Sequence, residues 1–509
     1  MKKNRFLWWI LFSLSSAVIP LHAESVTEWL RQSSSSGYGQ IEIGGYQTGL
    51  EFHHSRCLPA RISFYQPVAN SLDRSRDYWK RDQSQPIRAE LTWFGQTTPL
   101  HQISCPYRYT PYQADFYPPL SRGNLIVGYR FAQDIPAFEY RMELTHSDTI
   151  SRPVRVELWV SLLLRTCQTY ADRYPREWHI ADSPDMAWAA YPYPDTDSAA
   201  LFILSRSPAW TIRIQPYTTK SDTGFHLIME SQVPPHKTQV LSLLIGSTRL
   251  NEIHTATDSA DDRWDSAQIA YTAVLENKIT PDWRFNCPDS DLTLNLAWAR
   301  SLLASLKHPL NHVPVPMPCP AEYNFFFSHD LLMTDWGAVI TDRERVKADL
   351  LYLLSQTLTD SILPHAAYWR DGSYQTEFCQ SDNWNHLWFL LVSSAYLKHS
   401  GDSTTIRQLN PILSKSLSMM LSNRDQSGLM CAWRPDWWDI GHVYGARVYL
   451  TSLMIRVLRE WVSLNLSLNQ SDPQLVDYLK TADQMQLQLE RTFWDPNRNF
   501  LMSRLDSLS

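Results

Sequence analysis

Three short segments combine carboxylates with aromatic rings in patterns that could do chemistry. One is Trp433-Arg434-Pro435-Asp436-Trp437-Trp438-Asp439-Ile440-Gly441-His442. Two carboxylates three residues apart stand among three indoles. Apolar rings disfavour a charged carboxylate and raise its pKa, as a general acid near neutral pH requires. The rings also offer flat apolar faces with a polar tip, on which a sugar ring can stack. The alternative is an Asp that caps the long helix expected next. A second segment, Phe325 to Trp336, holds His329, Asp330 and Asp335. On a helix, a five-residue offset sets Asp330 and Asp335 roughly 140° apart. Asp330 would stand at the helix entrance, where its ordinary role is capping. Asp335 lies within an otherwise apolar helix and calls for a partner or ligand. The third segment, Thr376 to Trp388, holds Glu377, Ser381, Asp382 and His386, with Ser381 or Asp382 the expected cap of the next helix.

The elements that must position these residues fall into two kinds. From about 25 to 255 the dominant period is two. Phe138 to Leu144 and Val154 to Val160 alternate apolar and polar, and similar runs occur at 62–65, 90–94, 125–131, 200–204, 210–214, 225–229 and 240–245. Many short alternating strands imply a large antiparallel sandwich. Near 257 the period becomes helical. Asp258 to Lys278 reads as a linking helix with Trp264, Ala267, Ala270, Tyr271 and Val274 on one side. Further helices are expected at 289–307, 329–341, 343–358, 382–399, 403–423, 443–465 and 472–491. The long loops 309–327, 359–380 and 423–439 are rich in Trp, His and Pro, and loops of this kind often carry function.

The chain has 509 residues, 44% of them apolar, enough for two or three packed domains. Net charge is −6 and no basic block stands out, which argues against nucleic acid or an anionic membrane as partner. Aromatic content is high, with 21 Trp and 24 Tyr. Lys2, Lys3 and Arg5, then the apolar run Phe6 to Val18, then Ala23, read as a cleaved signal peptide over 1–23, hence a periplasmic or secreted protein with no membrane segment after cleavage. The seven cysteines are scattered, without a CxxC, so neither a zinc nor a redox motif is expected. One or two disulfides are open to an exported chain. Cys57 and Cys105 are the nearest pair, but the connectivity is not readable.

At the three segments the sequence resembles the six-hairpin glycosidase superfamily. That group includes cellobiose and chitobiose phosphorylases, trehalase and the glucosidase domains of glycogen-debranching enzymes. His329-Asp330 followed by Asp335 resembles an Arg-Asp pair with a sugar-binding Asp five residues on, with His329 where Arg is expected. Ser381-Asp382, His386-Leu387-Trp388 and Ser400-Gly401-Asp402 resemble a phosphorylase segment. Asp436-Trp437-Trp438-Asp439 resembles an Asp-Trp-Asn-Asp motif whose last Asp is the general acid.

The resemblance implies an N-terminal antiparallel β-supersandwich (24–256), a linker helix (257–287) and an (α/α)6 six-hairpin toroid (288–509). It implies a glycoside hydrolase acting with inversion on oligo- or polysaccharide, needing no cofactor or metal. Asp439 would be the general acid. His329, Asp330, Asp335, Trp369, Arg370, Asp382, Asp436, Trp437 and Trp438 would contact sugar, and Glu377 is a candidate base. Two alternatives are a glycoside phosphorylase and a non-catalytic carbohydrate-binding remnant. About seven helices follow residue 288 where a closed barrel has twelve, so the expectation is a partial, truncated barrel. Its open edge, including the stripe Val443 to Leu464, would favour self-association.

Overall fold

The computed structural model describes residues 32–34 and 40–503, apart from 66, 68–69, 75–83, 167–171, 182–184, 194–195, 280–286, 311–312, 320, 322–325, 358–361, 371–372, 378–382, 433–442 and 471. The expected signal segment lies outside the described residues.

Among the described residues, the strands between 32 and 249 form three antiparallel sheets of nine, five and six strands. The alternation read from sequence sets their faces. In Arg152–Ser161, Val154, Val156, Leu158 and Val160 point into the core, while Arg155, Glu157 and Trp159 are half-buried on the other face. Ala137–Thr145 departs from this pattern, because Ala137 and Glu139 are buried as well. The cause is a helix, α1 (Ile253–Ile279), laid over the outer face of the nine-stranded sheet. Its Ala260, Trp264 and Ala267 pack with Ala137, Ala200, Phe202 and Leu244. This helix is therefore a layer of the β domain as well as a link. Its buried stripe runs through Ile253, Thr257, Ala260, Trp264, Ala267, Tyr271 and Leu275. Ala270, expected on that side, is exposed.

The helical part clamps onto the six-stranded sheet. Ser63 donates to the Ala321 carbonyl (2.6 Å), and Ala321 N–H donates to Glu42 (3.0 Å). His308 is fully buried, stacked on Tyr65 (3.8 Å, 12°), with Nδ1 donating to the Tyr46 carbonyl (3.0 Å).

The remaining helices are α2 (Ser290–Ser305), α3 (Ser328–Ala338), α4 (Arg343–Gln356), α5 (Asn385–Ser400), α6 (Ser403–Leu421), α7 (Val448–Ser467) and α8 (Leu475–Phe493). All match the periodicity to within a few residues. Helices α3, α5 and α7 lie side by side, and α4, α6 and α8 pack behind them, giving three hairpins. Helix α5 is central, and its buried residues include Asn385, His386, Phe389, Leu391, Ser393 and Tyr396, on every side of the helix. Helix α6 begins at Asp402, which caps Thr405 N–H, just after Gly401 closes α5 in the left-handed region (φ 71°) where glycine carries no Cβ penalty.

Several expectations need correction. Helix α5 starts at Asn385 with Trp384 in the cap position, so neither Ser381 nor Asp382 caps it. Helix α7 starts at Val448 after an extended Arg447, so neither Asp436 nor Asp439 is its cap. Gly445–Ala446, expected in that helix, instead pairs as a strand with Cys431–Ala432. The supposed loop 359–380 contains a hairpin, Ala366–Arg370 with Ser373–Glu377, extended by Phe326–Phe327. The stripe on α7 is covered rather than exposed: Leu450, Val457, Trp461 and Leu464 are buried, while Ser452, Arg456 and Arg459 face solvent. Exposed apolar side chains lie instead at Met333 and Trp336 on α3, at Ile340 just after it, at Leu466 near the end of α7, and at Val476, Leu479 and Leu487 on α8. Among the described residues no helix is long and apolar enough to cross a membrane.

Candidate functional site

The N-terminal ends of α3, α5 and α7 converge, because these three helices run side by side. The convergence brings together His329 from the first turn of α3, Trp384 and Trp388 from the start of α5, and Tyr449 from the first turn of α7. His329 meets Trp384 edge to face (5.9 Å, 87°) and lies 6.1 Å from Trp388. Trp388 Nε1 donates to the Tyr449 hydroxyl (2.8 Å), and that hydroxyl lies 3.4 Å from His329 Nε2. Trp336 lies edge-on to Trp388 (6.3 Å, 78°). His329, Trp388 and Tyr449 are half-buried and Trp336 is 39% exposed, so the rings keep an accessible surface.

Behind this surface is a buried polar layer. His365 packs on Trp384 (4.8 Å), and Asn385 Nδ2 reaches His365 Nδ1 (3.0 Å). Asn383 accepts from Asn385 N–H (3.0 Å) and donates to the Leu363 carbonyl (2.9 Å). His386 accepts the Leu363 N–H at Nε2 (3.4 Å) and faces Ser416 through Nδ1 (2.7 Å). Burial pushes His386 down to about 3, so it is neutral at physiological pH. It positions the chain before α5 rather than moving protons.

The carboxylates expected on α3 part company as the 140° offset requires. Asp330 is exposed in the first turn, where a negative charge suits the helix dipole. It is not the cap, since Phe327 holds that position. Asp335 is fully buried 3.8 Å from Arg345, which also lies 3.3 Å from Asp349 and donates to the Leu303 carbonyl. The partner it called for is therefore a protein cation. Trp369 and Arg370 lie near the tip of the hairpin and Glu377 at its base, opposite Ala366, by backbone register. Asp382, Asp436, Trp437, Trp438 and Asp439 lie outside the described residues. The segment 433–442 leaves from the ladder of Cys431–Ala432 with Gly445–Ala446, one residue before α7.

Sequence reasoning missed Tyr449 and gave Trp388 no role. Tyr449 sits off the apolar stripe of its helix, and a ring with a polar tip in a first turn was the available signal.

No protein-family model matches the chain, and no curated protein matches it by sequence. Solved structures do match. The chain is similar to a bacterial glucoamylase complexed with acarbose, with TM-score 0.59 at 9% identity, over 90% of this chain and 68% of that one. It is also similar to a chain named as a kojibiose phosphorylase from the human microbiome, with TM-score 0.50 at 8% identity, over 94% of this chain and 70% of that one. The chain shares the fold of these structures, a β domain followed by helical hairpins, three of which lie among its described residues. The β domain followed by helical hairpins is the order of that fold expected from the sequence, and the cluster of His329, Trp388 and Tyr449 lies at one end of its central helices.

Proposed function

We propose that the chain is an exported glycosidase that cleaves oligo- or polysaccharide with inversion, with Asp439 as general acid. The observation that carries the reading is the partly open ring surface of His329, Trp336, Trp388 and Tyr449 at the shared end of α3, α5 and α7. The chain into and out of the segment bearing Asp436 to Asp439 is anchored next to that end. Rings there would stack on a sugar while Asp439 protonates the leaving oxygen, and a second carboxylate, with Glu377 the candidate, would activate water. Inversion needs the two carboxyl groups about 6.5–9.5 Å apart. The lysine-rich start and apolar run of residues 2–18 support export.

The test is turnover of a panel of unactivated α- and β-linked oligosaccharides, with the anomer of the first product read by NMR. Asp439→Asn should lower turnover about 10²–10⁴-fold while the fold is kept. Turnover within a few-fold of the unmodified chain, or retention at the anomeric carbon, would overturn the reading. Cleavage that requires inorganic phosphate and yields a sugar phosphate would replace it with a phosphorylase.

A further inference from the structure

Cys57 lies in the turn between strands Thr48–His53 and Arg61–Phe64 of the six-stranded sheet. Cys105 lies just before strand Tyr107–Thr110 of the nine-stranded sheet. Their segments meet through a single antiparallel bridge, Arg56 with Ser104, and Cys105 N–H donates to the Ser55 carbonyl (2.9 Å). Alternation about that bridge turns Arg56 and Ser104 outward and both cysteines inward, into the same core. Both are free thiols here, and the Cys105 thiol donates to the Ser55 carbonyl (3.6 Å), across the bridge from Cys57. Cys57 Sγ is also 3.5 Å from the Leu100 carbonyl oxygen, and the Tyr129 hydroxyl holds the Cys57 carbonyl (2.7 Å).

We propose that Cys57 and Cys105 are a disulfide pair, formed as the chain folds in an oxidising compartment, which ties the six-stranded sheet to the nine-stranded sheet. Cys105 thiolate attacks a small-molecule disulfide RSSR, forming Cys105–S–S–R and releasing RS⁻. Cys57 then attacks the Cys105 sulfur and expels the second RS⁻. Two protein thiols and one RSSR give one protein disulfide and two RSH. Burial of both sulfurs closes this route in the native fold, so the bond forms during folding. The link would close the segment 57–105 and constrain the unfolded chain.

The test refolds the full chain in a reduced/oxidised glutathione buffer, alkylates it and digests it without reduction for mass spectrometry. The expected result is a peptide pair joined through Cys57 and Cys105 that reduction separates. The oxidised chain should melt roughly 5–15 °C above the reduced one. Cys57→Ser and Cys105→Ser should each abolish that difference. Recovery of both cysteines alkylated after oxidative refolding, or either joined to another cysteine, overturns the proposal. So does a melting temperature indifferent to reductant. Should the serine variants fail to fold, the peptide map of the unmodified chain decides alone.

Discussion

Acidification from pH 7 to pH 5 should destabilise this protein through two buried histidines. His308 stacks on Tyr65 between the β and helical parts. Its Nδ1 proton goes to the Tyr46 carbonyl, and its Nε2 has no partner among the described residues. A proton added there would be a buried charge without an acceptor, and burial lowers its pKa to about 4. His386 is lowered to about 3 by burial, and a proton on its Nε2 would confront the Leu363 N–H. In the unfolded chain both titrate near 6.5. Because the folded values are depressed, the stabilising contribution is fully present above about pH 6.5. It is lost as pH falls toward 4 and 3, while the unfolded chain takes up two protons that the folded chain refuses. Between pH 7 and pH 5 each histidine should remove about 2 kcal/mol, together about 4 kcal/mol. For a unit of 150–250 residues, 2 kcal/mol is roughly 4–8 °C in melting temperature. Calorimetry at constant ionic strength measures this. His308→Gln and His386→Gln, which cannot titrate, should start less stable at pH 7. Each should lose only about half as much as the unmodified chain on going to pH 5. A melting temperature that does not move between pH 7 and pH 5, or a drop in either variant as large as in the unmodified chain, would refute the reasoning.

Tyr449→Phe removes the hydroxyl between Trp388 and His329, leaves the Trp388 N–H unpaired, and should lower kcat/KM of the proposed glycosidase about 10-fold without unfolding the protein. Unchanged kcat/KM on a cleaved oligosaccharide would remove the ring cluster from the site. Asp335→Ala leaves Arg345 buried with Asp349 as its remaining close carboxylate and should cost about 3 kcal/mol, the low end for breaking a buried pair. Chemical denaturation reads it, and a loss under 1 kcal/mol would argue against the ion pair. Replacing both Trp437 and Trp438 by Ala should weaken oligosaccharide binding in calorimetric titration. Unchanged affinity with the fold retained would return both rings to packing.

What the sequence determined by itself is everything that follows from local period. In Val154 to Val160 a residue's neighbours two apart share its face, so alternation announces a strand with one face in a core. In α7 the stripe Leu450, Val457, Trp461 and Leu464 announces a helix in the same way. Part of the candidate site was legible too: His329 and Asp330 stood out by type and spacing, and Asp335 was singled out as a polar residue needing a partner. The partner itself was not legible. Arg345 belongs to the next helix, and nothing in its own neighbourhood says that it turns toward Asp335 rather than solvent. The cap residues were misplaced because Ser381, Asp382, Asp436 and Asp439 have the right chemistry for a cap. The ladder of Cys431–Ala432 with Gly445–Ala446 keeps the chain extended up to Arg447, so α7 starts only at Val448. The stripe on α7 is buried for a similar reason, since burial depends on which helices stand beside which. Tertiary structure alone decided that His329, Trp388 and Tyr449 meet, and that the segments of Cys57 and Cys105 pair with both cysteines turned into one core. Each of these contacts joins residues far apart in the chain, and their register comes from how whole elements pack, which no local period encodes.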